Sequence, residues 1–144
     1  MKLMRLVGQA ASVLLASTLS ISVLAELIVE EGYVRKPIPG RSMSAAFMTI
    51  RNVGTEDFIV TSACLEGAES VEIHTHSHDD GVMRMRQLHE LTIKAGDSVT
   101  LEPGGLHLMV FGIKELPESP ELNLCNTEYQ CFSVNLATKS LVNK

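Results

Sequence analysis

From residue 27 onward, apolar side chains recur at alternate positions in short runs, and turn-forming residues cut each run before a long amphipathic helix can develop. The runs are LIVEEGYVR (27–35), SAAFMTIRNV (44–53), FIVTSAC (58–64), SVEIHTH (70–76), GVMRMRQ (81–87), ELTIKA (90–95), SVTLE (98–102), LHLMVFGI (106–113), ELNLC (121–125) and CFSVNL (131–136). Between them stand Lys36-Pro37-Ile38-Pro39-Gly40, Asn52-Val53-Gly54, Asp79-Asp80-Gly81, Ala95-Gly96-Asp97 and Pro103-Gly104-Gly105, all rich in residues that favour turns. Many short strands at regular spacing predict an all-β sandwich or Greek-key barrel in a single domain. The polar end ATKSLVNK is expected to fray, with a C-terminal tail over 139–144.

The first 25 residues follow a different rule. Lys2 and Arg5 precede a mostly apolar run that ends in Val23-Leu24-Ala25, the small-residue pattern of a signal-peptidase site, so cleavage after Ala25 and export are expected. Gln9, Ser12, Ser17, Thr18, Ser20 and Ser22 interrupt the run, which disfavours a stable membrane span. No cysteine stands at the cleavage point, so a lipid anchor is not indicated. The expected folded unit is 26–138. Without Lys2 and Arg5 it keeps 10 basic side chains against 17 acidic ones, a net charge of −7. That balance disfavours nucleic acid, which needs a basic face, and favours a cation. Of the three cysteines, Cys125 and Cys131 flank NTEYQ and either close a short loop or serve as small buried residues; Cys64 is left over.

Alternation also sorts the chemistry-bearing residues by face. Val71 and Ile73 share the expected core face, while Glu72, His74 and His76 point the other way. Met83 and Met85 share one face, opposite Val82, Arg84 and Arg86; because arginine is rarely buried unpaired, the methionines are expected to face protein at least in part. His107, Met109 and Phe111 form one row of their strand. Imidazole serves copper, zinc and nickel, whereas the soft thioether of methionine selects Cu(I), so two histidines and two methionines point to copper rather than zinc.

Written out, His74, Met85, His107 and Met109 form H-x10-M-x21-H-x-M. This resembles the signature of the periplasmic copper chaperone family PCu(A)C, and the likeness continues through IVEEGYVRKPIPG, SAAFMTIRNVGTEDFIV, MRMR and LTIKAGDSVTLEPGGLHLMVFGIK, from residue 28 to about 114. The resemblance implies a cupredoxin-like Greek-key β-sandwich and Cu(I) held by His74, Met85, His107 and Met109. It also implies a periplasmic location and delivery to an acceptor copper protein such as a cytochrome c oxidase subunit, or exchange with a thioredoxin-like copper chaperone. The segment PESPELNLCNTEYQCFSVNLATKS departs from the family pattern in being shorter and richer in cysteine.

Plainer readings stand beside these. Met85 or Met109 taken singly is core filler more often than ligand, and only the joint spacing reverses that. His76 and His78, with Asp79 and Asp80, read first as a solvated hairpin loop and second as a nitrogen- and oxygen-rich site for Cu(II) or zinc. Met83 is either a spare thioether or apolar wall. His89 reads as surface, Met43 and Met48 as packing. A blue-copper site needs a cysteine thiolate beside two histidines, and no histidine follows Cys125 or Cys131. No nucleophile motif such as G-x-S-x-G supports a hydrolase. The expected function is therefore a non-enzymatic Cu(I) chaperone. The alternatives are a copper-storage or detoxification binder using a second His/Asp site, and an interaction module without metal.

Overall fold

In a computed structural model, residues 26–141 are described, so the predicted signal peptide and residues 142–144 lie outside the described part. Among the described residues twelve strands follow in chain order: β1 (Leu27–Arg35), β2 (Ser44–Asn52), β3 (Phe58–Val60), β4 (Ser62–Leu65), β5 (Ser70–Asp79), β6 (Val82–Leu88), β7 (Leu91–Ile93), β8 (Ser98–Leu101), β9 (His107–Phe111), β10 (Glu121–Cys125), β11 (Cys131–Asn135) and β12 (Ala137–Lys139). The large sheet runs β11-β10-β4-β5-β9-β2-β1-β12, with β6 added to β5 and β8 to β2; β3 and β7 form a small second sheet. Non-sequential neighbours such as β10–β4, β5–β9 and β9–β2 give the crossed connectivity expected of a Greek-key, cupredoxin-like sandwich.

One core draws on both sheets, joining Phe58 and Val60 of β3 and Leu91 and Ile93 of β7 to Ile50, Ile73, Leu108, Val110, Leu122 and Leu124 of the large sheet. Ile73 is buried and Val71 packs against the core, as alternation predicts. Asn52 is the buried polar residue that ties the layers. Its amide nitrogen donates to the Glu56 and Ile93 carbonyls at 2.7 and 2.9 Å, and its side-chain oxygen accepts from the Gly54 amide at 3.0 Å. Satisfied in this way, the amide avoids the cost of an unpaired buried polar group.

Three expectations change. FIVTSAC is two strands, because the buried residues step from Phe58 and Val60 to Ala63 and Leu65, a one-residue slip of phase that carries the chain from the small sheet to the large one. The ATKSLVNK end does not fray from its start: Ala137–Lys139 pairs in parallel with Tyr33–Arg35, and the Lys36 amide donates to the Lys139 carbonyl. Met43 is exposed rather than packed, whereas Met48 is buried.

Cys125 and Cys131 oppose one another on β10 and β11 and are joined by a disulfide; Cys64 is free and exposed. The crosslink closes a loop with a sequence separation of 6, for which chain entropy gives about 2 kcal/mol of stabilisation. Reduction is expected to lower the denaturant midpoint accordingly, and an unchanged midpoint in the presence of reductant would count against a closed bridge.

Candidate metal centre

The β5–β6 hairpin is set by Asp80-Gly81, both at positive φ (51° and 78°), the backbone of a two-residue type I′ turn that Asp-Gly favours. The turn fixes the register: Asp79 opposes Val82, His78 opposes Met83, His76 opposes Met85 and His74 opposes Gln87. Residues directly opposite share a face, so Met83 and Met85 lie on the face that carries His74, His76 and His78. On the other side of β5, His74 opposes His107 and Glu72 opposes Met109. Three strands therefore bring His74, Met85, His107 and Met109 to one face of the sheet, and they bring His76 with them.

The far half of β5 leaves the body of the sheet. Beyond His74 it pairs with β6 alone, and β6 is exposed on both faces, with Met83 56% and Met85 49% accessible. The expectation that these methionines face protein holds only in part: each is about half exposed, because the ribbon has left the body of the sheet. His76 and His78 are likewise strand residues and not members of a loop.

His107 anchors the inner end of the cluster. It is 3% exposed, and its ring lies 5.9 Å from that of His74, 5.2 Å from that of His76 and 6.4 Å from that of Phe47, centroid to centroid, while the Phe111 ring lies 6.4 Å from that of His74. Its Nδ1 lies 2.9 Å from the Gly105 carbonyl. A carbonyl can only accept, so Nδ1–H donates and the Nε2 lone pair is left for another partner. His74 has the opposite arrangement: Nε2–H donates to Glu72 Oε2 at 2.8 Å, and Nδ1 is buried without a hydrogen-bond partner. His76 Nδ1 is also buried and unpartnered. Buried nitrogens without partners are costly in a folded protein, and neutral imidazoles oriented by a carboxylate or a carbonyl are a usual preparation for metal ligation.

Burial holds His107 below the ordinary imidazole range; its hydrogen bond to Gly105 opposes this, and the neighbouring His76 and His74 add to it. In the unfolded chain His107 titrates near about 6.5. The stability contributed by this depressed value is complete above that pH and is lost as pH falls toward the folded value, because only the unfolded chain takes up the proton. The denaturant midpoint of metal-free protein is expected to fall from pH 7.5 to pH 5, and by less in His107→Gln. An equal fall in both proteins would exclude His107 as a source.

The structure does not bring the His-Asp run together as the second site considered from the sequence. Alternation puts Ser77 and Asp79 on the face opposite His76 and His78. Asp79 is engaged by Arg86 Nη2 at 2.6 Å and by Ser77 Oγ at 3.2 Å, and the Arg86 hydrogen bond holds its carboxyl below the usual range. His78 and Asp80 are exposed. As the side chains stand among the described residues, no three His, Cys, Asp or Glu form a group that could hold a metal ion, so in this arrangement a site built from these imidazoles draws on the methionines. His89 is exposed, as read from the sequence. The only sequence signal for the orienting role of Glu72 is its place two residues before His74 on the same face. The Gly105 carbonyl has no side-chain signal.

Comparisons with known proteins agree on this architecture. The chain resembles the "Copper-bound PCuAC domain from PmoF2" with a TM-score of 0.64 at 17% identity, over 79% of this chain and 92% of that one. It resembles Cu(I)-bound DR1885 from Deinococcus radiodurans with a TM-score of 0.58 at 24% identity, over 89% and 85%. At such identities the likeness establishes the shared fold. In sequence, a relative described as "Putative lipoprotein Lxx21020" from Leifsonia xyli subsp. xyli (strain CTCB07) is 34% identical over 76 residues, 52% of this chain, and the chain matches only about half, 46%, of that protein's length. The LpqE-like family model, described as "Putative lipoprotein LpqE-like", matches residues 27–121, which include every histidine and methionine of the cluster, and the chain belongs to that family.

Proposed function

We propose that this protein is an exported, non-enzymatic copper carrier whose folded unit, 26–138, binds one Cu(I) through His74, Met85, His107 and Met109 and passes it to an acceptor copper protein. The observation that carries the reading is the register. Strands β5, β6 and β9 place all four members of H-x10-M-x21-H-x-M on one face, and both histidines have a lone-pair nitrogen left over by their hydrogen bonds. Similarity to a domain described as copper-bound and to a Cu(I) form of a protein of the same fold supports it. Soft thioethers favour the reduced ion. The placement also suits transfer, since His107 is deeply held while Met85 lies half exposed on the ribbon, where an acceptor's ligands can reach the ion before the donor's have let go.

Export follows from cleavage after Ala25, with the periplasm as the site of action; the residue then exposed is Glu26, which cannot carry a lipid as a cysteine can. Among the described residues no helix is long and apolar enough to cross a membrane. The acceptor implied by the PCu(A)C resemblance is the copper centre of cytochrome c oxidase, reached directly or through a thioredoxin-like chaperone. Cu(I) titration with X-ray absorption at the copper edge tests the assignment: one tightly held ion in a mixed sulfur and nitrogen shell is expected, and a shell of nitrogen and oxygen alone would refute it. Several ions of similar affinity would favour storage instead, against which stands the division of the His-Asp run between two faces.

A further inference from the structure

We propose that His76 is a third imidazole ligand of the same centre, engaged when the ion is Cu(II), so that one site accepts copper in both oxidation states by exchanging thioether for imidazole. The inference rests on the copper-carrier reading. It begins from two buried nitrogens without partners, Nδ1 of His74 and Nδ1 of His76. The four-ligand reading gives the first a use and leaves the second with none.

Position argues for the same use. His76 is two residues from His74 on one face of β5, and it stands directly opposite Met85 in the β5–β6 register. Its ring lies 5.2 Å from that of His107, and the His74 ring 5.9 Å from the same ring. A metal–nitrogen bond of about 2.0–2.1 Å places the centroids of two rings on one ion roughly 5 to 6 Å apart at tetrahedral and wider angles. Both observed separations fall in that range. As the side chains stand, the three rings do not form a group that could hold an ion, and the His76 and His107 rings are stacked with 28° between their planes; ligation therefore requires His76 to rotate its side chain and turn Nδ1 toward the nitrogen left over on His107.

The chemistry follows from ligand type. Methionine sulfur favours Cu(I), while imidazole is a good ligand for Cu(II), which prefers planar or tetragonal nitrogen and oxygen surroundings. With Met85 opposite and half exposed, His76 can take its place at the ion without disturbing His107. The Cu(II) capacity that the sequence suggested for the His-Asp run then belongs to the main centre, with His78 and Asp79 taking no part.

The test compares Cu(I) and Cu(II) binding by the purified protein and its His76→Gln and His78→Gln variants, using competition titrations and pulsed EPR of the Cu(II) forms. Wild type and His78→Gln are expected to show three imidazole nitrogens on Cu(II), and His76→Gln two. Loss of an outer-shell partner alone typically costs 10–100-fold in metal affinity, so the His76→Gln change should weaken Cu(II) binding by at least about tenfold while altering Cu(I) binding less than about threefold. Two imidazoles on wild-type Cu(II), or unchanged Cu(II) affinity in His76→Gln, overturns the inference and leaves the Cu(I) reading intact. A Cu(I) shell without sulfur overturns both. The nitrogen count on the wild-type protein decides the matter even if His76→Gln does not fold.

Discussion

Replacing Met85 and Met109 together with leucine is expected to lower Cu(I) affinity by at least about 100-fold and to remove sulfur from the copper X-ray absorption spectrum. Loss of an outer-shell partner alone costs 10–100-fold, and here two direct ligands would go. The substitution is nearly volume-conserving, for which cores usually lose less than about 1.5 kcal/mol. Met85 is half exposed and Met109 partly buried on the face away from Leu108 and Val110, so neither side chain belongs to the main core. The denaturant midpoint should therefore hardly move. Each single variant should lose less than the double, since three ligands remain. Retained affinity in the double variant, with sulfur still in the spectrum, would move the thioether role to Met83, which lies on the same face opposite His78. Retained affinity without sulfur would end the thioether reading altogether.

How much of this was readable in advance depends on which contacts set each feature. The faces of β5 and β9 follow from alternation, because β5 packs Ile73 and β9 packs Leu108 into the core, and burial on one face fixes the other. The exposure of β6 does not follow. Arg84 and Arg86 suggest a covered face for Met83 and Met85, yet the ribbon has left the sheet, and that departure is a property of where β9 begins, at His107 opposite His74. The place of His76 was recoverable from the turn. With Asp80-Gly81 as a two-residue connection, Asp79 pairs with Val82 and His76 must meet Met85; one residue of error would have put the methionine on the other face. Taking the whole of Asp79-Asp80-Gly81 as turn lost that register, and with it the reason to separate His76 from His78. The orientation of His107 by the Gly105 carbonyl, and the parallel seat of β12 on β1, depend on backbone groups whose partners the side-chain pattern does not specify.

The second large effect is expected from Leu108→Ala, which lies between the two ligands of β9 and points away from them. Leu108 is 1% exposed and belongs to the core shared by both sheets. Truncation of a fully buried leucine costs about 3–5 kcal/mol, the spread reflecting how far the surroundings collapse into the cavity. For a domain of this size, that corresponds to a fall in Tm of roughly 10 °C or more. The cavity would open beneath the strand that carries His107 and Met109, and on the other side Leu108 pairs with Ile73, next to His74. Even so, the ligands are held by the β5–β9 ladder and by His107 donating to Gly105, neither of which uses the Leu108 side chain. Protein that remains folded at low temperature should accordingly bind one Cu(I) with affinity within about tenfold of wild type, less than the cost of losing a ligand. Copper should also restore part of the lost Tm, because an ion that binds only the folded state stabilises it by mass action. If Leu108→Ala instead abolished copper binding while leaving Tm unchanged, the division between a core that holds β9 in place and a face that holds the ion would be wrong.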